Sequence, residues 1–298
     1  MRPLLAATIM AALGLSQLAA ATPSKFHLTF DRPKKVGSRF ELTGTYRSTN
    51  YYRADQDGVS LGDNDEYLEA NYDVIEKVTK IDDNGDPQEL RIFFRSLSTR
   101  NDSGGTYADA SCVGVPIDVV VWPDVSITRE DGQDFVPDEK KVVAGLFRKT
   151  DPDAPTDDQV LAPDHDVSIG DSWHPTSDEM SRYLQAQGLL IPDNSAVISL
   201  KLADHRKVGG IDCLIVDFSL DCPNIDGDTS LPADFRAIHG SSKGSSEYDL
   251  PIDPALPMMS YRNDTSATFN ASVDKDGSTI NVNGQQSQAS TEEFVKAL

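Results

Sequence analysis

Two short stretches carry residue types able to do covalent chemistry. Gly240-Ser241-Ser242-Lys243-Gly244 fits G-x-S-x-G, the spacing that puts a serine nucleophile on a sharp turn between a strand and a helix. Such a serine needs a base within hydrogen-bonding reach, and His239 and Asp249 lie nearby in sequence. The next residues, Ser245-Ser-Glu-Tyr-Asp-Leu-Pro251, have no helical periodicity. The stretch is therefore expected to be a flexible Gly/Ser turn, with Ser242 a candidate nucleophile lacking the elbow that would activate it. Ser272-Val-Asp-Lys275 fits S-x-x-K but falls on an expected hairpin turn.

Acidic turns suggest a second chemistry, the binding of a divalent cation. Asp82, Asn84 and Asp86 alternate, yet an EF-hand loop needs Gly at its sixth position and Glu at its twelfth, where this chain has Pro87 and Phe93. Asn224-Ile-Asp226-Gly-Asp228 and Asp151-Pro-Asp153 could each present two or three oxygens. Asp226 and Asp228 are thus the candidate ligands of a structural calcium ion, the one cofactor the residues suggest. With 37 Asp in the chain against 11 Glu, such clusters also arise by chance. The three Cys and five His show no zinc spacing.

The cysteines speak to compartment. Cys213 to Cys222 reads as one strand, which holds the two thiols about 30 Å apart and beyond disulfide reach. In an oxidising space Cys112 could bridge to either, leaving one thiol over; the alternative is three buried thiols. Export is suggested by the first 21 residues: Arg2, an apolar run from Leu4 to Leu18, and Ala19-Ala20-Ala21 as a small-residue cleavage site. After removal of that segment no stretch is apolar enough to span a membrane, and a periplasmic or extracellular location is expected. A net charge of −21 argues against nucleic acid, whose phosphates demand clustered cations.

The elements that must position these residues are mostly strands. Phe26, Leu28 and Phe30 alternate, as do Phe40, Leu42 and Tyr46. Tyr72 to Ile81 leads through Asp83-Asn84-Gly85-Asp86 to Leu90, Ile92 and Phe94, a hairpin, and a second hairpin turns at Asp274-Lys-Asp-Gly277. Further strands are predicted at 117–122, 125–129, 197–202 and 212–220. Helices are few. Pro137 opens one toward Val142 and Val143, Thr176 with Glu179 makes a capping box for a second, and a short third is predicted at 292–298.

Near the midpoint, 151–166 is rich in Pro and Asp without apolar periodicity, which reads as a linker. On either side a similar opening occurs. Val36-Gly37-Ser-Arg-Phe40 and Ile169-Gly170-Asp-Ser-Trp173 share apolar-Gly-x-x-aromatic, a turn into a buried strand in which Gly takes a positive φ and the ring fills the core. Gly37, Phe40, Gly170 and Trp173 are accordingly the candidate structural residues.

The stretch Val167-Ser-Ile-Gly-Asp-Ser-Trp173, followed by strand hairpins and a Gly-rich return near His239 to Asp249, resembles the second half of certain exported bacterial proteins and lipoproteins. In those families valine, glycine, aspartate, any residue and tryptophan open a β-rich domain. The chain lacks their lipidated Cys, so the resemblance implies a compartment and a fold class rather than an anchor or a reaction. The reading is a mainly β protein (α+β, few short helices) of antiparallel twisted sheets, arranged as two similar lobes or open half-barrels: an N-terminal lobe over 22–150 and a C-terminal lobe over 167–298. Its expected role is non-catalytic, binding a protein partner within an envelope or extracellular assembly. The alternatives are carriage of an apolar small molecule against a sheet, and hydrolysis at a site the residues do not reveal.

Overall fold

The computed structural model describes residues 24–297 except 33, 123, 148–153, 187–188, 191–195, 226, 229–234 and 276–277. Among the described residues strands account for 60% and helices for 9%. In chain order the elements are β1 (Arg39–Gln56), β2 (Val59–Ile81), β3 (Pro87–Arg100), β4 (Ala108–Asp109), β5 (Pro116–Val120), β6 (Ser126–Arg129), α1 (Pro137–Gly145), α2 (Asp157–Leu161), β7 (Ser172–Trp173), α3 (Ser177–Ala186), β8 (Leu189–Leu190), β9 (Val197–Val208), β10 (Ile211–Ile225), β11 (Gly227–Asp228), β12 (Phe235–Pro251), β13 (Ser260–Lys275) and β14 (Ser278–Ala297).

All but β8 and β11 join one antiparallel sheet ordered β6-β5-β3-β2-β1-β14-β13-β12-β10-β9-β7, with β4 beside β3. It is not closed into a barrel. The two halves of the chain meet where β14, the last strand, pairs with β1, the first, from Phe40↔Ala297 to Gln56↔Ile280. The helix predicted over 292–298 is therefore absent. The amides of that segment are taken by β1 on one side and β13 on the other, and a sheet ladder overrides a short stretch's helical preference.

Each end of the sheet buries its own apolar cluster. In the first, Leu68, Ala70, Tyr72 and Val74 alternate on β2, Leu90, Ile92 and Phe94 alternate on β3, and Val142 and Val143 of α1 close over them. Pro137 opens α1 where its missing N–H costs nothing, and Asp138 and Glu139 complement the first turn. In the second, Ile198, Leu200 and Leu202 of β9 and Leu214 and Val216 of β10 face Met180 and Leu184 of α3. The Thr176 hydroxyl caps α3 by accepting the Glu179 amide at 3.4 Å. Leu28 and Phe30 enter this second cluster, but along an extended segment rather than the predicted strand; only Phe26 pairs, with Val167. Within the stretch read as a linker, Thr156 and Gln159 form a capping box for α2, and Val160 and Leu161 are buried in the same cluster.

The two glycine turns are alike in detail. Gly37 has φ +93° and Gly170 φ +96°. The Gly37 amide donates to the Val78 carbonyl at 2.8 Å, Ser38 donates to Lys35, and Val78 donates back to Ser38. The Gly170 amide donates to the Leu202 carbonyl at 2.7 Å, Asp171 donates to Ser168, and Leu202 donates back to Asp171. The aromatic residue three positions on packs differently in each. Trp173 is buried, its Nε1–H donating to the Leu161 carbonyl at 2.7 Å, whereas Phe40 is half-buried at the edge of the first cluster.

Cys112, Cys213 and Cys222 are free and buried, one in each of three separate apolar clusters. The bridge from Cys112 to Cys213 or Cys222 is not formed, because no two of the thiols share a cluster. Burial, with Glu139 nearby, pushes the Cys112 thiol up to about 11.

Candidate ligand-binding site

The strand registers bring together, on one face, residues far apart in sequence. Phe40 on β1 lies opposite Glu76 on β2, and Leu42 lies between Val74 and Phe294. One step further, a single row runs Tyr248, Tyr261, Glu292, Gly44, Tyr72 across β12, β13, β14, β1 and β2. The β1–β14 pairing shifts register between Glu41 and Leu42, so that Val295 is the extra residue of a bulge and Phe294 and Glu292 join this face.

Gly44 makes the row possible. A Cβ there would lie 2.3 Å from the Tyr72 hydroxyl oxygen and 2.5 Å from the Thr291 carbonyl oxygen. Without one, the Tyr72 ring lies across β1 and its hydroxyl donates to Glu292 Oε2, two strands away, at 3.4 Å. A glycine inside a strand commonly marks such a close approach.

These side chains wall a cavity of about 230 Å³ where the two apolar clusters meet. Its apolar lining is Phe30, Phe40, Leu42, Leu250, Met258 and Phe294, with Tyr248. Phe30, Asp31, Arg32 and Lys34 also line it. The first three are tied down by Asp158, whose carboxylate accepts the amides of Phe30 and Asp31, and by the Arg32 guanidinium, which donates to the carbonyls of Pro251 at 3.2 Å and Asp253 at 3.3 Å. Arg32 Nε is buried with no hydrogen-bond partner among the described residues.

Glu76 and Glu292 are the polar groups that the sheet strands themselves set into the wall. Burial raises the pKa of both, and the charge of Glu292 raises Glu76 further. Lys34 opposes this electrostatically at each, without forming an ion pair among the described residues. With both groups buried and the charge of Glu292 acting on Glu76, the two hold a proton at pH values where a lone Glu has lost its own. The Tyr72 hydroxyl is likewise held in its neutral form by burial and by Glu292.

A wider hollow of about 540 Å³ elsewhere on the sheet is walled largely by polar and charged side chains, among them Arg47, Glu69, Asp217, Glu247 and Arg262. Tyr46, Phe218 and Ala289 are its apolar contributors.

The residues singled out from sequence lie elsewhere. Ser242 sits in the middle of β12, between Cys222 on β10 and Ala267 on β13, so Gly240–Gly244 is neither an elbow nor a turn. The glycines there serve packing: a Cβ on Gly240 would meet the Thr268 carbonyl at 2.5 Å. Among the described residues no side chain hydrogen-bonds the Ser242 hydroxyl. Asp249 is buried, accepting from Ser260 and Arg206, and plays no part near Ser242. Asp226 lies outside the described residues, and Asp228 is in β11, paired with Leu189. Among the described residues no three His, Cys, Asp or Glu groups are arranged to hold a metal ion. Asp82 instead closes the β2–β3 turn, accepting the amides of Asn84 and Asp86 at 2.9 Å each.

Glu76 and Glu292 were missed by sequence reasoning, although a signal existed. Glu76 has the same parity as Tyr72, Val74 and Val78, which makes it a charge on the inward face of an apolar alternation. Glu292 relates to Phe294 in the same way.

No family model and no curated protein matches the sequence. Among solved structures, the lipovitellin of a study of lipid–protein interactions aligns over 89% of this chain at 7% identity with a TM-score of 0.40. This chain spans about a quarter (26%) of the lipovitellin chain. The S-type phycobiliprotein lyase CPES from Guillardia theta aligns over 85% of this chain and 88% of its own, at 9% identity and a TM-score of 0.19. OpdQ from Pseudomonas aeruginosa aligns over 84% and 97%, at 8% identity and a TM-score of 0.21. All three TM-scores are below 0.5, and the fold stands on its own topology. Among the described residues no helix is long and apolar enough to cross a membrane.

Proposed function

We propose that the chain is an exported binding protein that holds a small amphiphile, or the apolar end of a larger one, in the cavity between its two apolar clusters. The cavity itself carries the reading: apolar side chains on one face of the sheet, the tethered residues Phe30 to Arg32 in its lining, and carboxylates, Glu76 and Glu292 among them, set into the wall. Its volume of about 230 Å³ falls below the range of roughly 300–1,000 Å³ that encloses a drug-sized ligand, which favours a short chain or one end of a longer molecule. Export rests on the character of residues 1–21, and the low positive charge disfavours phosphate-rich partners.

Native mass spectrometry of the exported chain, purified without detergent, tests this reading. The expected result is an added mass of a few hundred daltons, on the order of one small ligand, released on denaturation and diminished when Leu42 is replaced by Asp. A bare polypeptide mass, with no uptake of any alkyl compound on titration, would overturn it and favour a surface that binds a protein partner.

A further inference from the structure

The cavity's walls combine two features that a purely apolar ligand does not need. Four aromatic rings, Phe30, Phe40, Tyr248 and Phe294, line it. They come in two pairs: Phe40 and Phe294 with centroids 6.0 Å apart, and Phe30 and Tyr248 at 5.7 Å, edge to face. Among them stand carboxylates, five along the wall (Asp31, Glu76, Asp86, Asp157 and Glu292) against two cations, Arg32 and Lys34. Arg32 is held by the Pro251 and Asp253 carbonyls. Asp157 accepts a hydrogen bond from the Tyr183 hydroxyl, and Glu292 accepts one from Tyr72. Glu76 accepts no hydrogen bond from the described residues and is half-buried toward the cavity.

Aromatic faces attract cations through their quadrupole, and rings grouped with carboxylates form the chemistry that recognises ammonium groups. An alcohol would leave the carboxylate charge unanswered. A fatty acid would add a further carboxylate to a wall that already holds five. We infer that the ligand of this cavity is a cationic amphiphile, with a protonated or quaternary ammonium group seated between Glu76, Glu292 and the aromatic rings and its alkyl chain against Leu42, Leu250 and Met258. This rests on the binding reading above and narrows it to a class of head group.

The pair's protonation sets a direction. A cation is favoured by the ionised carboxylates, so its affinity should rise with pH as the shared proton leaves. The charged and titratable groups around the two are Tyr72 of β2, Lys34 and Arg32, Asp86 of the β2–β3 turn, and Asp31 and Asp157. A quaternary ammonium does not titrate, which makes it the cleaner probe.

The experiment is a calorimetric titration of the exported chain with three compounds of equal chain length: octyltrimethylammonium, octanol and octanoate. The expected result is one-to-one binding of the ammonium compound at least about tenfold tighter than the other two. That preference should weaken as pH is lowered and vanish in Glu76→Gln/Glu292→Gln. It should survive in Asp118→Asn/Glu130→Gln, which removes as much charge from an exposed surface. If octanol or octanoate binds as well as the ammonium compound, the head-group inference fails while the apolar cavity stands. If the ammonium preference persists in Glu76→Gln/Glu292→Gln, general surface charge accounts for it and the inference also fails. If none of the three binds, the binding reading itself falls.

Discussion

Under α1, the inner face of the sheet presents Ile92, Phe94 and Ile117, all fully buried, whereas three and four strands from β3 the same face carries Ser290 and Asn263. One row shows the change: Phe218, Ser246, Asn263, Ser290, Tyr46 and Ala70 lie side by side from β10 to β2. Apolar residues hold its two ends and small polar residues its centre, where the Ser246 hydroxyl donates to Asn263 Oδ1 at 3.0 Å. A continuous apolar stripe would weld the halves into one core. The polar centre keeps them as separate clusters and leaves the cavity at their lower boundary.

If the ends supply the stability, the largest loss should come from them. Trp173→Ala removes a buried ring and leaves the Leu161 carbonyl without its donor, and is expected to cost about 3 to 5 kcal/mol in urea denaturation. A cost under about 1 kcal/mol would show that the second cluster does not depend on that ring. Gly44→Ala should come next, at about 1 to 3 kcal/mol, because the new methyl meets backbone as well as the Tyr72 ring. A neutral result would mean that Tyr72 does not cross β1, and the row joining it to Glu292 would be lost.

At the boundary the comparison turns on pH, and two glutamates of β2 show the contrast. Glu69 accepts from Tyr67, Arg100 and Tyr107 on the outer face, and these partners hold it down to about 2. Glu76, seven residues on, faces inward and is raised by burial and by the charge of Glu292. For a carboxyl raised on folding, the native state binds the extra proton. Its penalty is absent below the ordinary Glu range, near about pH 4, and grows as pH rises through the raised value. Glu76→Gln/Glu292→Gln should therefore be more stable than the parent at pH 7, by on the order of 1 kcal/mol, with the gap closing toward pH 4. A gap unchanged by pH would place the effect outside titration. Smaller still, Ser246→Ala at the polar centre is expected to cost about 1 kcal/mol, the worth of one buried hydrogen bond. A gain in stability would mean that the centre tolerates an apolar bridge.

Much of the local structure was legible from residue order, since it depends on neighbours only. The β2–β3 turn at Asp83-Asn84-Gly85, the capping of α3 by Thr176, and the positive φ of Gly37 and Gly170 come from side chains bonding nearby backbone or from a missing Cβ. Alternation likewise marked the inward residues of β2, β3, β9 and β10.

Where a strand's partners lie far away, that order was silent. The Ser-rich stretch 240–246 reads as a turn because serine and glycine bury little by themselves; it is a strand because β10 and β13 take its hydrogen bonds. Residues 292–297 read as helix and end as strand for the same reason. Above all, the cavity depends on β14 reaching β1 across 246 residues of chain, as the pair Thr45 and Thr291 shows. Sequence determined that Glu76 would face inward; only the closing of the last strand on the first brought Glu292 into the same cavity, because residues so far apart in sequence are gathered by strand pairing and not by spacing along one strand.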